Sequence, residues 1–175
     1  MFFGGEGFLD TNEILIDGFS RVDEAVRKVL GGLSEEDLSF RPSPAANSIA
    51  WLVWHLARIQ DDHLAGVADQ PQVWPQGWSD RFGLPFDESA TGWGHGPDEV
   101  AAVKVSGRLL GGYYEAVHRV TLDYIRDLKP VDYGRVVDKN WDPPVMLGVR
   151  LVSVLADDLQ HVGQAAYVRG LIERR

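Results

Sequence analysis

Apolar residues recur along this chain at intervals of three and four, which is the period of a helix buried on one face and not of a half-buried strand. From Asn12 to Leu30 the apolar positions are Ile14, Leu15, Phe19, Val22, Val26, Val29 and Leu30, with Gly31-Gly32 as the stop. Ser34 to Leu38 reads as one short capped turn, and Pro42 and Pro44 make the next stretch irregular. Asn47 is placed to cap a second long helix, whose apolar positions are Ile49, Leu52, Val53, Leu56, Ile59 and Leu64. The pattern dissolves between about Ala68 and Pro97, in a stretch that holds Trp74, Trp78 and Trp93 among prolines and glycines. Pro97-Asp98-Glu99 then opens a third helix that runs to Pro130, its middle weakened by Gly107, Gly111 and Gly112. After a loop over 131–144, a fourth helix extends from about Val145 to Arg175. The expectation is an all-α protein, a four-helix bundle with a long connection between its second and third helices, and no strands.

Candidate chemistry stands on the second and fourth helices. Asp157 and His161 are four apart, so a carboxylate and an imidazole sit one turn above each other and can aim at one point. Such a pair can ligate a metal, hydrogen-bond to itself, or lie on a solvated face beside Asp158 and Gln160. His55 falls between Leu52 and Ile59 and shares their inward face, either as a core histidine or as a ligand. An unpatterned connection as long as 68–97 is a pocket lid or a plug over the helix ends. His95, ringed by glycines, is read as an exposed loop residue, and His118 is given no role.

Composition narrows the classes. With 175 residues and no cysteine, the chain is expected to form a single domain over 1–175 without disulfides, zinc-thiolate or iron-sulfur clusters, or a cysteine nucleophile. A net charge of −9 disfavours nucleic acid and anionic lipid as partners. No apolar run approaches the roughly 18 residues of a membrane span, and the N-terminus lacks signal-peptide character, so a cytoplasmic protein is expected.

The segment Asn47-Ser48-Ile49-Ala50-Trp51-Leu52-Val53-Trp54-His55-Leu56, with the later Asp157-x-x-x-His161-x-Gly163-Gln164, resembles the DinB-like superfamily across essentially the whole chain, and in particular its actinobacterial branch of uncharacterised and mycothiol-dependent proteins. The resemblance implies an up-down-down-up four-helix bundle and a divalent metal held by His55, Asp157 and His161. Many relatives carry histidine where this chain has Asp157, so the donor set is harder and the metal's identity open: zinc first, nickel or iron as alternatives. It further implies a thiol co-substrate such as mycothiol or bacillithiol, joined to a small electrophile or used to isomerise one. That chemistry needs no protein cysteine.

On this reading Trp74, Trp78 and Trp93 close over the electrophile, His63 lines the cleft, and Arg58 or Arg169 anchors a substrate carboxylate. Each arginine has a structural alternative as an ion-pair partner of Asp62 or Glu173. Two histidines and a carboxylate also describe a non-haem iron oxygenase or a metal-dependent hydrolase. A non-catalytic binding protein would close its site with a fourth ligand, His63 or Asp62. Phe2, Phe3 and Trp141 are candidates for a homodimer face or for packing at the helix ends.

Overall fold

A computed structural model describes residues 9–175, which are predominantly helical; Phe2 and Phe3 lie outside them. Helix α1 spans Thr11–Leu30 and opens with a capping box, in which the Asp10 carboxylate accepts from the Glu13 backbone N–H at 2.8 Å and Glu13 accepts from that of Asp10 at 2.9 Å. Helix α2 is the short capped turn Glu35–Ser39. Helix α3, Ile49–Ala68, is capped by Ser48 and not by Asn47: the Ser48 hydroxyl accepts from the Trp51 N–H at 3.2 Å. The two positions are chemically alike as caps, and the register of the buried face chooses between them.

The third expected helix divides. Helix α5, Pro97–Ala102, ends before an extended link, and α6, Gly107–Asp127, begins afresh where the Ser106 hydroxyl accepts from the Leu109 N–H at 3.3 Å. Val103 and Val105 are both buried across this link. Alternation of that kind belongs to extended backbone, and it overrides a helical pattern that would have turned one of them outward. At Gly107, where α6 passes α2, a Cβ would stand 3.4 Å from Leu38 and 3.6 Å from the Leu30 carbonyl, in ordinary contact with both.

Between the second and third long helices lie a tight turn at Trp74–Trp78 and α4, Ser79–Phe82. The stretch after α6 holds strands the pattern does not predict: β1, Val136–Asp138, pairs antiparallel with β2, Val145–Met146. Strands this short carry no readable alternation. Helix α7, Leu147–Ile172, completes the chain. It packs chiefly along α3 and also against α1, while α6 packs against α1 and α3. Two apolar clusters fill the space between them, one around Leu52, Trp54, Tyr113 and Val162, the other around Phe19, Leu64, Ile125 and Leu151.

One polar network crosses this interior. Arg58 is fully buried on α3, 3.6 Å from the Asp61 carboxylate one turn later. Asp61 accepts from the backbone N–H groups of Val73 and Trp74 and from the Tyr113 hydroxyl, each at 2.8 Å. Arg58 donates to the carbonyls of Ala90 at 3.1 Å and Glu88 at 3.4 Å, and to the Gln72 side chain at 2.8 Å. Both ends of the long connection are thereby tied to α3. Asp61→Ala strands the buried guanidinium and is expected to lower the unfolding free energy by roughly 3–5 kcal/mol, read from urea denaturation; a loss below about 1 kcal/mol would contradict this assignment.

Candidate metal centre

The seam between α3 and α7 brings His55, Asp157 and His161 together, and one donor atom from each lies within 4.8 Å of the others. His161 Nε2 is 3.5 Å from Asp157 Oδ1, and the His55 and His161 rings meet edge to face with centroids 4.7 Å apart. Trp51 stacks on His55 at 4.6 Å and presents itself edge-on to His161 at 6.4 Å, an aromatic wall beside the donors. His55 Nδ1 lies 2.6 Å from the Thr91 carbonyl oxygen. A carbonyl only accepts, so Nδ1 carries the hydrogen and Nε2 keeps its lone pair for another partner.

Asp157 Oδ2 and His161 Nδ1 are buried with no hydrogen-bond partner among the described residues. Unsatisfied buried polar atoms are costly, and a cation beside them would supply what the protein does not. Two imidazoles and a carboxylate suit zinc and its neighbours, and three donors leave a coordination position open. Neither expected fourth ligand joins the group. Asp62 accepts from Gln72 at 2.8 Å and stands 3.9 Å from His63 Nδ1.

Charge is arranged to favour the donor forms. Burial lowers the pKa of His55, His161 adds to that, and the Thr91 carbonyl and Asp157 pull the other way. Burial works against the Asp157 carboxylate, but the hydrogen bond and charge of His161, with His55 and His63 beyond, outweigh it and leave its pKa below the ordinary value. Asp158 does not share a solvated face with Asp157. It is fully buried, one helical step round toward the core, and burial with the neighbouring Asp157 charge raises its pKa well above the usual carboxylate range.

The long connection supplies the rest of the site. Gly92 has φ +96°, and a Cβ there would stand 2.6 Å from His55 Nδ1 and 3.1 Å from Trp54. The Thr91-Gly92 step is therefore pressed onto the histidine it orients. His95 is not a free loop residue: its Nδ1 accepts from Trp51 Nε1 at 3.2 Å and its ring stacks on Trp54 at 5.6 Å. The sequence pattern assigns no role in the site to Trp51, Thr91 or Gly92. The glycine density of Thr91-Gly92-Trp93-Gly94-His95-Gly96 was the available signal for a close backbone approach.

The expected substrate residues mostly serve other ends. Arg58 spends its donors on the connection and pairs with Asp61, not Asp62, so it offers no anchor to a ligand. Arg169 caps α1, donating to the carbonyls of Lys28, Val29 and Gly31 at 2.7–2.9 Å and to Glu173 at 2.7 Å. Trp74 is buried against Tyr113 and Phe82, while Trp78 lies against Tyr113 and under Arg81. Trp93 is 88 % exposed. No ring contact joins these three to His55 or His161 among the described residues. His63 stays near the seam, half-buried, with its pKa lowered by burial and by Arg150. Trp141 is exposed.

The profile of the family described as "MST: Mycothiol-S-transferase" matches residues 15–174. A similar solved structure, the crystal structure of the conserved protein of locus from Enterococcus faecalis, is 31% identical, covers 96% of this chain and 100% of its own, and superposes with a TM-score of 0.89. No curated protein matches the chain.

Two outcomes follow from this geometry. Gly92→Ala is expected to weaken zinc binding by about 10–100-fold, as loss of an orienting partner does, with helix content retained; unchanged affinity in a competition titration would show that the Thr91 contact is idle. His55, His63, His95 and His118 all sit below the ordinary 6.5, burial being the first cause in each. The unfolded chain therefore takes up more protons on these groups than the folded one. Stability from them is complete above 6.5 and is lost as pH falls through the lowered values, with the raised carboxyl groups of Asp61 and Asp158 acting in the opposite sense, two groups against four. Metal-free protein should unfold at lower urea at about pH 5.5 than at about pH 7.5, and an equal or higher midpoint would refute the sign.

Proposed function

Because this chain belongs to the mycothiol-S-transferase family, we propose that it is a metal-dependent enzyme that joins the sulfur of mycothiol or bacillithiol to a small electrophile, or uses that thiol to isomerise one. His55, Asp157 and His161 hold one divalent cation, zinc first, on residues 1–175 acting as a single domain. The four long helices are read as the up-down-down-up bundle of the DinB-like superfamily. The observation that carries this reading is the convergence of three donor residues from two helices, two of which also hold a buried polar atom that no group among the described residues pairs. The absence of cysteine fits a reaction whose thiol is imported.

A divalent cation held by His55, Asp157 and His161 would supply Lewis acidity and so lower the pKa of a thiol brought to it. The protein's own groups prepare that event. The Thr91 carbonyl holds His55 in the tautomer that presents Nε2. Asp157, kept ionised by the imidazoles around it, contributes the one negative charge of the donor set. Trp51 walls the donors from water on one side, which strengthens the local electrostatics. In the transfer itself a sulfur–carbon bond forms while the bond from that carbon to its leaving group breaks. The leaving group takes the electron pair, and the thiol's proton passes to solvent.

No helix among the described residues is long and apolar enough to cross a membrane. We place the reaction in the cytoplasm, where small thiols are kept reduced, with small molecules as its partners. Elemental mass spectrometry on untagged protein is expected to find about one zinc per chain, lost in His55→Ala and His161→Ala. The loaded wild type should accelerate formation of the bimane thioether from mycothiol and monochlorobimane, with both variants at background. Wild-type metal content in either variant would remove the site, and a loaded wild type that forms no thioether would remove the transferase reading. Iron with oxygen consumption would favour the oxygenase alternative that the same donor set allows.

A further inference from the structure

The ridge of α7 that carries the donors does not stop at them. Positions 157, 161, 164 and 168 follow at helical spacing, so Gln164 and Val168 prolong the line of Asp157 and His161 by successive turns. On α3, Leu52 stands one turn before His55. Leu52, Gln164 and Val168, with Pro42, Gly163 and Tyr167, line a shallow groove of about 480 Å³, within the range of small-molecule sites.

The two ends of the seam differ in character. Beyond Asp157 lie the Arg150–Asp138 ion pair at 2.8 Å and His63 with Asp62. Beyond His161 the groove carries no charged side chain at all, on a chain of net charge −9. Its polar groups are the amides of Asn47 and Gln164 and the hydroxyl of Tyr167. A charged ligand portion would lose its hydration there and meet no counter-charge, whereas carbon surface would leave water for Leu52, Val168 and the Tyr167 ring. Space is available too, since a Cβ on Gly163 would meet nothing within 4 Å and Tyr167, 68 % exposed, stands as a side wall.

We propose that this groove binds the uncharged, apolar carbon skeleton of the electrophile, with the reacting carbon at the His55–His161 end. The assignment rests on the transferase reading above and relocates the electrophile from the tryptophan-rich connection to the α3–α7 seam. Val168 is seven residues beyond His161, about 10 Å along the axis, so the occupant is a chain or ring of that length and not a two- or three-carbon fragment.

The test uses zinc-loaded full-length protein, wild type beside Gly163→Phe, which fills the groove, and Tyr167→Ala, which removes its wall at an exposed position. One readout is fluorescence titration with N-phenyl-1-naphthylamine, an uncharged apolar dye. The other is the ratio of kcat/KM for 1,2-epoxyoctane over 1,2-epoxypropane with mycothiol. In that reaction the sulfur–carbon bond forms as the epoxide carbon–oxygen bond breaks, and the alkoxide takes a proton from water. Wild type should prefer the longer epoxide, and each variant should lower both dye affinity and that preference by at least about tenfold, at wild-type zinc content. Turnover with an unchanged ratio and unchanged dye binding in both variants would overturn the groove and leave the transferase standing. Dye binding lost in the variants, with neither epoxide turned over by wild type, would remove the transferase and with it the electrophile as occupant. If Gly163→Phe loses zinc or fails to fold, Tyr167→Ala decides by the same two readouts.

Discussion

The contact on which the site depends is the buried pairing of Arg58 with Asp61. Neither residue touches the donors, yet between them they bind the connection at 73–74 and at 88–90, which delivers the Thr91 carbonyl to His55. A guanidinium has five donors in a rigid fork, and a carboxylate can accept from several directions at once. That pair can therefore hold two separate stretches of backbone where no regular secondary structure would. A connection with so few repeating hydrogen bonds of its own is made into a fixed strap by two charged side chains inside the core.

The strap in turn explains why α3 tolerates a histidine on its most buried face. His55 gives its Nδ1 hydrogen to the strap and turns Nε2 toward α7, where Asp157 and His161 are presented one turn apart. The same glycine that lets the strap approach, Gly92, adopts a backbone conformation that other residues reach only with strain. Site geometry is thus divided between regular helices, which set the spacing of the donors, and an irregular segment that sets the orientation of one of them. The seam that carries the donors has the Arg150–Asp138 pair and His63 beyond one end and a groove without charged side chains beyond the other.

Much of this could be read from residue order. Periodicity located the first, second and fourth long helices to within about three residues, because burial of one face demands it, but began the third ten residues early, at Pro97 instead of Gly107; the spacing of Asp157 and His161 is a local property of one helix. His55 was visible for the same reason, as a polar residue among Leu52 and Ile59. Gly31 marked the end of α1, and the cap of α3 fell one position from the expected Asn47, whereas the break and new cap at Ser106 carried no signal that the helical pattern did not outweigh. What went wrong is equally physical. Val103 fits a helical count with Val100, but it and Val105 are both buried as an extended link, a choice made by neighbours on other elements. Asp158 is polar by type and would suit a solvated face, yet its side of α7 faces the core.

Arg58 and Arg169 show the limit most clearly. Each is a long cation near the right helix, and its type admits an ion pair, a ligand anchor or a backbone clamp with equal ease. Only the folded chain decides, by bringing the carbonyls of Ala90 and Glu88 to one and those of Lys28, Val29 and Gly31 to the other. The same holds for Trp74 and Trp78, whose apolar surface had to be buried somewhere and was buried against Tyr113. The amino-acid sequence by itself determined the long helices and the donor types on them, since both follow from interactions a few residues apart. Tertiary structure alone decided which carbonyl orients His55, which charges are buried in pairs and where an apolar groove runs beside the donors, because those depend on backbone groups tens of residues distant in the chain.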